Sequence, residues 1–148
     1  MGVEENEVEE NKKVVERFEE LITTQELDLL DELCTPDMIN HALAPGRPAG
    51  LAGTREFLST SGKTQFVTTT WPERYVIADG DLVVWFGIRG GHWAGGDLFG
   101  FDVPTGDYER GFAVMYRLED GKIAERWAVR DDLAMLRQLG ALAGPGTP

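Results

Sequence analysis

Cysteine is nearly absent: Cys34 is the one example in 148 residues. This excludes an internal disulfide and any cysteine-cluster metal site. Histidine is equally scarce, and His41 and His92 alone do not supply a histidine-rich zinc set. Basic residues are outnumbered, 14 Lys and Arg against 26 Asp and Glu, for a formal net charge of −12. That balance argues against nucleic acid, whose phosphates need Lys and Arg to displace counterions. Long apolar runs are missing too. Stretches such as Leu82 to Gly87 fall far short of the roughly 20 residues that span a bilayer, so no membrane partner is expected. The start, Met-Gly-Val-Glu-Glu, shows no basic region followed by an apolar one, so no secretory signal is read. Asn6 breaks the myristoylation motif that Gly2 would open. No repeat of fixed period occurs. Gly90-Gly91 and Gly95-Gly96 lack the spacing of a dinucleotide or phosphate loop, and no helix follows them. The expectation is a small, acidic, soluble, cytoplasmic domain.

What is present is ordinary for such a domain: 42% apolar and 27% charged residues. A chain of this length buries roughly 70% of its unfolded surface as one core. Residues 1–10 are mostly glutamate and are expected to be disordered. Residues 11–140 form the domain, and residues 141–148 a flexible tail. Val14, Val15, Phe18, Leu21 and Ile22 recur at helical spacing, and Leu27, Leu29, Leu30 and Leu33 mark a second short helix ending before Pro36. Ile39 to Gly53 reads as loop, and Thr54 to Leu58 as a third helix. The remainder reads as strand: Gln65–Thr70, Arg74–Ala78, Leu82–Arg89, Tyr108–Leu118 and Lys122–Val129. Asp79-Gly80 and Asp120-Gly121 are the hairpin turns, and a glycine-rich excursion covers Gly90–Gly106. Asp131 to Leu139 closes as a helix. Helices first and antiparallel strands afterwards is an α+β layout.

Alternation along the strands separates two faces. Val84, Phe86, Ile88 and His92, with Phe112, Val114 and Tyr116, and with Trp127, Val129 and Asp131, make the face expected under the helices. Trp85, Arg89, Met115, Arg117 and Arg126 are expected on the outer face, where their composition suits an interface. Arg130 also points outward by this parity.

Four segments carry a family resemblance. Gly91-His92-Trp93-Ala94-Gly95 through Phe99-Gly100-Phe101-Asp102-Val103-Pro104-Thr105-Gly106 resembles the GTHxG…FxGxxPTG loop of SnoaL-like polyketide cyclases. Tyr116-Arg117-Leu118-Glu119-Asp120-Gly121-Lys122-Ile123-Ala124-Glu125-Arg126-Trp127 is similar to that family's YRxEDGKIxEHW hairpin. Trp127 through Asp131 to Gly140 resembles its WxxxDxxxLLxQLG ending, and Pro36-Asp37-Met38-Ile39-Asn40-His41 its APDYVxH segment. The resemblance implies the nuclear transport factor 2-like fold: a curved antiparallel sheet wrapped around N-terminal helices, leaving a conical apolar pocket. It also implies ring closure by intramolecular aldol chemistry on a polyketide-like or related secondary metabolite, as in antibiotic biosynthesis, without metal or organic cofactor. Homo-oligomers, dimer or tetramer, through the outer sheet face are implied as well.

Such chemistry needs an acid/base group in an apolar pocket, where desolvation raises a carboxyl pKa. Asp131 matches the family's catalytic aspartate. It is equally well suited to cap the last helix, although Asp132 can cap instead and leave Asp131 free. His41 matches a pocket-lining position and can share proton transfer, or it can bond a loop carbonyl. Phe18, Phe57, Phe86, Tyr116 and Trp127 are candidate aromatic walls for a flat, apolar or aromatic substrate, with Phe57 and Phe86 more suited to core. His92 is a rim candidate. Val114 occupies a position where many relatives carry His or Asp, so one polar pocket group is missing. A non-catalytic binder of a small apolar ligand is the reading from a different class. Epoxide hydrolysis or isomerisation on the same fold is the third, the hydrolysis requiring an arginine between two carboxylates inside the pocket.

Overall fold

The computed structural model describes residues 5–142. Helix α1 (Glu5–Thr24) begins nine residues before Val14, where the apolar periodicity starts, so residues 5–10 are helical rather than disordered as expected. Its first turn carries Glu5 and Glu7, which suit the positive end of the helix dipole. Lys12 reaches Glu9 and Lys13 reaches Glu10, both at 3.3 Å and i,i+3 spacing, extending the helix through an apolar-poor start. A 3₁₀ turn (Leu27–Leu29) leads into the single turn α2 (Leu30–Leu33). The segment after it is a strand, β1 (Cys34–Asn40), rather than the helix end and loop expected. Pro36 is tolerated because β1 is an edge strand. Helices α3 (Leu51–Ser59) and α4 (Ser61–Thr64) follow.

Strand β2 (Phe66–Asp79) joins two expected strands into one, with register shifts between Thr68 and Glu73 that absorb Pro72. Strand β3 (Leu82–Trp93) runs into the glycine-rich region, whose remainder holds the small hairpin of β4 (Gly96–Leu98) and β5 (Phe101–Val103). Strands β6 (Gly106–Glu119) and β7 (Lys122–Arg130) and helix α5 (Asp132–Gln138) complete the domain. The main sheet has the order β1-β7-β6-β3-β2, with β1 parallel to β7 and the other pairs antiparallel. At the turns Gly80 and Gly121 adopt φ of 60° and 78°, which their missing side chain allows. The fold is therefore the mixed α+β arrangement expected, with α1 lying on a five-stranded sheet.

The assignment of faces needs correction in two of three strands. Phe112, Val114 and Tyr116 of β6 do face the helices and are buried. Antiparallel pairing sets Trp85 opposite Val114, Arg89 opposite Arg110, Arg126 opposite Tyr116 and Arg130 opposite Phe112. Trp85, Arg89, Arg126 and Arg130 are thus inner residues. Val84, Phe86, Ile88 and His92 of β3, with Trp127 and Val129 of β7, are outer ones. Phe86 is 50% and Val129 70% exposed, whereas Trp85 is 1% exposed. Met115 and Arg117 lie outward as expected, opposite Trp127 and Glu125. Both faces of the sheet are apolar in composition, so hydrophobicity did not distinguish them. The inner register is set by packing against α1 instead.

Two cores result. One joins Val15, Phe18 and Leu21 of α1 to Val83, Trp85, Val114 and Tyr116. The other gathers Trp93, Leu98, Val103, Tyr108, Met135 and Leu139 under α5, with Ala141 and Leu142 against it. The rest of the expected tail, from residue 143, lies outside the described residues. In the second core Trp93 Nε1 donates to the Val103 carbonyl at 3.0 Å, and Thr105 Oγ1 to the Trp93 carbonyl at 2.8 Å. These bonds fasten the β4–β5 hairpin across the end of the sheet.

Cys34 is 1% exposed, and burial, only partly opposed by Arg126, pushes its thiol from 9.0 up to about 12. Between those values the unfolded chain holds fewer protons, so this group lowers stability as pH rises. The loss is at most about 1.4 kcal/mol per pH unit. Urea unfolding at pH about 9 and about 11 is expected to show a smaller loss in Cys34→Ala than in wild type. Equal losses would refute the assignment.

Candidate functional site

A cavity of about 320 Å³ opens between α1, α3 and the inner sheet face, within the usual range for a small-molecule site. Apolar walls come from Phe18 and Ile22 of α1, Phe57 and Leu58 of α3, and Phe66 of β2. The β4–β5 hairpin adds Asp97, Leu98 and Phe99 at the mouth. The sheet supplies Arg89, Tyr108, Arg110, Arg126 and Arg130. With Arg47, half of the chain's ten arginines line this cavity, and Asp97 is the single carboxylate among the lining residues.

Behind the wall lies a polar relay. Glu19, on α1, has 1% of its surface exposed. Tyr116 Oη donates to Glu19 Oε1 at 2.7 Å, Arg89 Nη2 reaches Glu19 Oε2 at 3.2 Å, and Arg126 Nε donates to Tyr116 Oη at 3.2 Å. Burial, only partly opposed by Arg126, pushes the Tyr116 phenol well above its ordinary value, so it stays a donor. Arg89 stacks over Trp71 at 4.3 Å and Phe112 at 5.0 Å, and its Nε has no partner among the described residues. Removing one partner of such a buried pair costs about 3–5 kcal/mol, because the other charge is stranded. Farther along, Arg110 Nη1 meets Asp132 Oδ1 at 2.8 Å while its guanidinium lies over Phe66 and Tyr108.

Arg130 differs from these. No hydrogen bond or carboxylate partner reaches its side chain among the described residues. The side chain is solvent-accessible within a concave wall, and its charged neighbours are Arg110, Arg126, Asp132 and Arg89. Burial first, then Arg110 and Arg126, push it down to about 10. Tyr108 is 4% exposed, and burial, opposed by Arg110, raises its phenol. Gly91 makes room for that ring: a Cβ there would lie 2.7 Å from the Tyr108 hydroxyl.

Of the residues singled out from sequence, Phe18 lines the cavity. Tyr116 and Val114 are buried beneath the wall, and Val114 is 3% exposed in the core. Phe86 and Trp127 sit on the outer face. His41 is there too: it stacks on Trp127 with centroids 5.2 Å apart and bonds Glu125 Oε2 through Nε2 at 2.7 Å. That bond, with the one from Arg117, holds the Glu125 carboxyl below its usual range. His92 is on the outer side of the sheet end, bonded to Asp107 at 2.8 Å. Asp131 is the cap of α5: its Oδ1 accepts from Ala134 N at 3.1 Å, and it is exposed and outside the cavity. Asp132 faces Arg110, so the two aspartates take the reverse of the arrangement that would free Asp131. No arginine bridges two carboxylates inside the cavity among the described residues. Sequence reasoning missed Asp97, Tyr108, Arg110 and Glu19. Only Glu19 left a signal, as an acid adjacent to Phe18 on the apolar stripe of α1.

Among the described residues no three His, Cys, Asp or Glu side chains converge as metal ligands, and no helix is long and apolar enough to cross a membrane. The family model of SnoaL-like polyketide cyclases matches residues 12–139. The chain belongs to this family. No curated protein matches it. Among solved structures, TsrD from Streptomyces laurentii is 23% identical, with a TM-score of 0.74 over 95% of this chain and 99% of that one. A SnoaL-like polyketide cyclase from Agrobacterium tumefaciens is 20% identical, with a TM-score of 0.71 over 88% and 98%. A nuclear transport factor 2-like protein from Burkholderia xenovorans is 16% identical, with 0.69 over 90% and 98%. At these identities the likeness shows the nuclear transport factor 2-like fold alone.

The capping geometry is directly testable. Asp131→Ala is expected to lose about 1 kcal/mol in chemical denaturation, and Asp131→Asn, which can still cap, less than about 0.5 kcal/mol. An alanine variant as stable as wild type would mean that the bond to Ala134 contributes nothing.

Proposed function

We propose that the protein is a cyclase-type enzyme closing a ring by intramolecular aldol chemistry on an apolar, polyketide-like secondary metabolite of the kind found in antibiotic biosynthesis. One observation carries this reading. An apolar-walled cavity holds a lone carboxylate, a phenol that keeps its proton, and a row of guanidiniums. Asp97 at the mouth is the candidate base that removes a proton beside a carbonyl. Tyr108 is the candidate acid that protonates the carbonyl oxygen under attack. Arg110 would stabilise the enolate as its charge develops, and a guanidinium already oriented by Asp132 needs no reorganisation to do so. Glu19 and Tyr116 act as positioning residues for Arg89 and Arg126. Phe18, Phe57 and Phe66 form the wall against which a flat substrate lies. This reading replaces Asp131 and His41 as proton carriers, because both point away from the cavity.

The test is an aryl-substituted 1,5-diketone, whose closure forms one carbon–carbon bond and, on loss of water, a conjugated cyclohexenone read by absorbance. Asp97→Asn and Tyr108→Phe are each expected to lower kcat by about 100-fold or more, with Asp131→Asn near wild type. If the wild-type protein binds the diketone but does not turn it over, the non-catalytic binding reading takes over.

We further infer a homo-oligomer through the outer sheet face, in the cytoplasm, where the free thiol of Cys34 would remain reduced. Tyr75, Ile77, Phe86 and Val129 are between 50% and 70% exposed, and cross-strand pairing puts Tyr75 beside Phe86 and Ile77 beside Val84 in one apolar patch. Such patches on soluble proteins mark interaction sites. Phe86→Glu is expected to shift the protein to monomer in light scattering at micromolar concentration. A wild-type protein that is already monomeric there removes the inference.

A further inference from the structure

The arginine row raises a question that proton transfer alone does not answer. Cross-strand neighbours of like charge are destabilising, yet Arg89 faces Arg110 directly, and Arg130 lies diagonally beyond Arg110 on the next strand. Two carboxylates answer this row from the helices, Glu19 on Arg89 and Asp132 on Arg110. Arg126 reaches Glu19 only through the shared Tyr116 hydroxyl, and its Nη1 has a 3.5 Å contact to Asn40 Oδ1. Arg130 has no partner among the described residues. The cavity wall therefore carries donors and positive charge that the described chain does not use, inside a protein whose formal net charge is −12.

We propose that Arg126 and Arg130 form a subsite for the carboxylate of an aromatic or otherwise apolar carboxylic acid, which is the substrate class of this cavity. The proposal rests on the cavity being the functional site argued above and narrows what enters it. Guanidinium forks match a planar carboxylate through two parallel N–H donors. The Glu19 carboxylate, one hydroxyl away, already offsets part of the Arg126 charge, so the surplus suits a monoanion better than a phosphate. The remaining wall, with Phe18, Phe57 and Phe66, calls for an apolar body behind the charged head. A cavity of about 320 Å³ limits that body to a small ring system.

The probes are 2-naphthoate and its neutral isostere 2-naphthamide, titrated calorimetrically into the full chain. The carboxylate is expected to bind roughly ten- to a hundredfold more tightly than the amide, the range of a charge-assisted hydrogen bond. Arg130→Met removes a side chain without partners, so the fold is retained. It is expected to erase most of that preference and leave amide affinity within about twofold. Thermal unfolding of the variant at wild-type temperature or above checks the fold. Equal binding of acid and amide by wild type overturns the proposal while leaving the cavity as a ligand site. A preference unchanged in Arg130→Met overturns it too, as does tighter binding of 2-naphthyl phosphate than of naphthoate. No binding of either naphthalene up to its solubility removes both this proposal and the functional reading beneath it. Failure of the Asp97 and Tyr108 variants to alter ring closure removes the acid/base roles alone.

Discussion

The carboxylate of Glu19 lies where a helix, three strands and a cavity wall meet. Apolar packing would hold α1 against the sheet, but such contacts are non-directional and tolerate rotation or sliding of the helix. A charged group in that interface is different, since it costs several kcal/mol unless its partners stand within bonding distance. Tyr116 at 2.7 Å and Arg89 at 3.2 Å meet that demand, and Arg126 closes the relay on the Tyr116 hydroxyl. One helical residue thereby fixes side chains of β3, β6 and β7 at the same point. The cavity begins where this relay ends, on the exposed sides of the arginines it holds.

That dependence explains which parts of the fold were legible in the sequence. Hairpins at Asp79-Gly80 and Asp120-Gly121 are local chemistry, and the helical stripe of α1 is local periodicity. Both survive in the structure nearly as read. Strand parity also gave the faces of β6 correctly. The same alternation in β3 and β7 points to the wrong sides, because parity says which residues share a face and not which face is covered. Phe86, Ile77, Tyr75 and Val129 make the outer surface as apolar as the inner. The deciding interaction, Arg89 with Glu19, spans 70 positions. Nothing near Arg89 in the chain announces it, and an arginine in a strand is read as solvent-facing by default. Strand β1 was hidden by Pro36, whose missing donor matters less at an edge.

The site was less legible than the fold for a related reason. Asp131 and Asp132 are adjacent and both suited to cap a helix. Which one caps depends on where α5 begins, and the other then takes whatever the inner face offers. The helix starts at Asp132, so Asp131 caps and Asp132 pairs with Arg110. Asp97 lies inside the glycine-rich segment and Tyr108 just beyond it, where no periodicity marks either. They reach the cavity because Trp93 pins the β4–β5 hairpin over its mouth, and Gly91 leaves room for the Tyr108 ring. Resemblance to a family locates a loop in such a case without saying which of its side chains turn inward.

The distribution of charge gives the cavity its selectivity. Outside, the acidic excess repels an anion, but at physiological salt that field decays over about 8 Å, so it governs approach rather than occupancy. Inside, low-dielectric walls strengthen each interaction, and Arg89, Arg110 and Arg126 are held in place by aromatic faces, two of them also by the Glu19 relay, before any ligand arrives. A carboxylate that enters exchanges bulk water for oriented donors, whereas a neutral molecule gains the apolar wall alone. Arg130, which lines the cavity with other arginines around it and no partner among the described residues, is the group with most to gain from a counter-charge. The same feature that disfavours the empty cavity therefore favours the filled one. Partnering Arg130 with a further carboxylate of the chain would stabilise the fold and remove that difference.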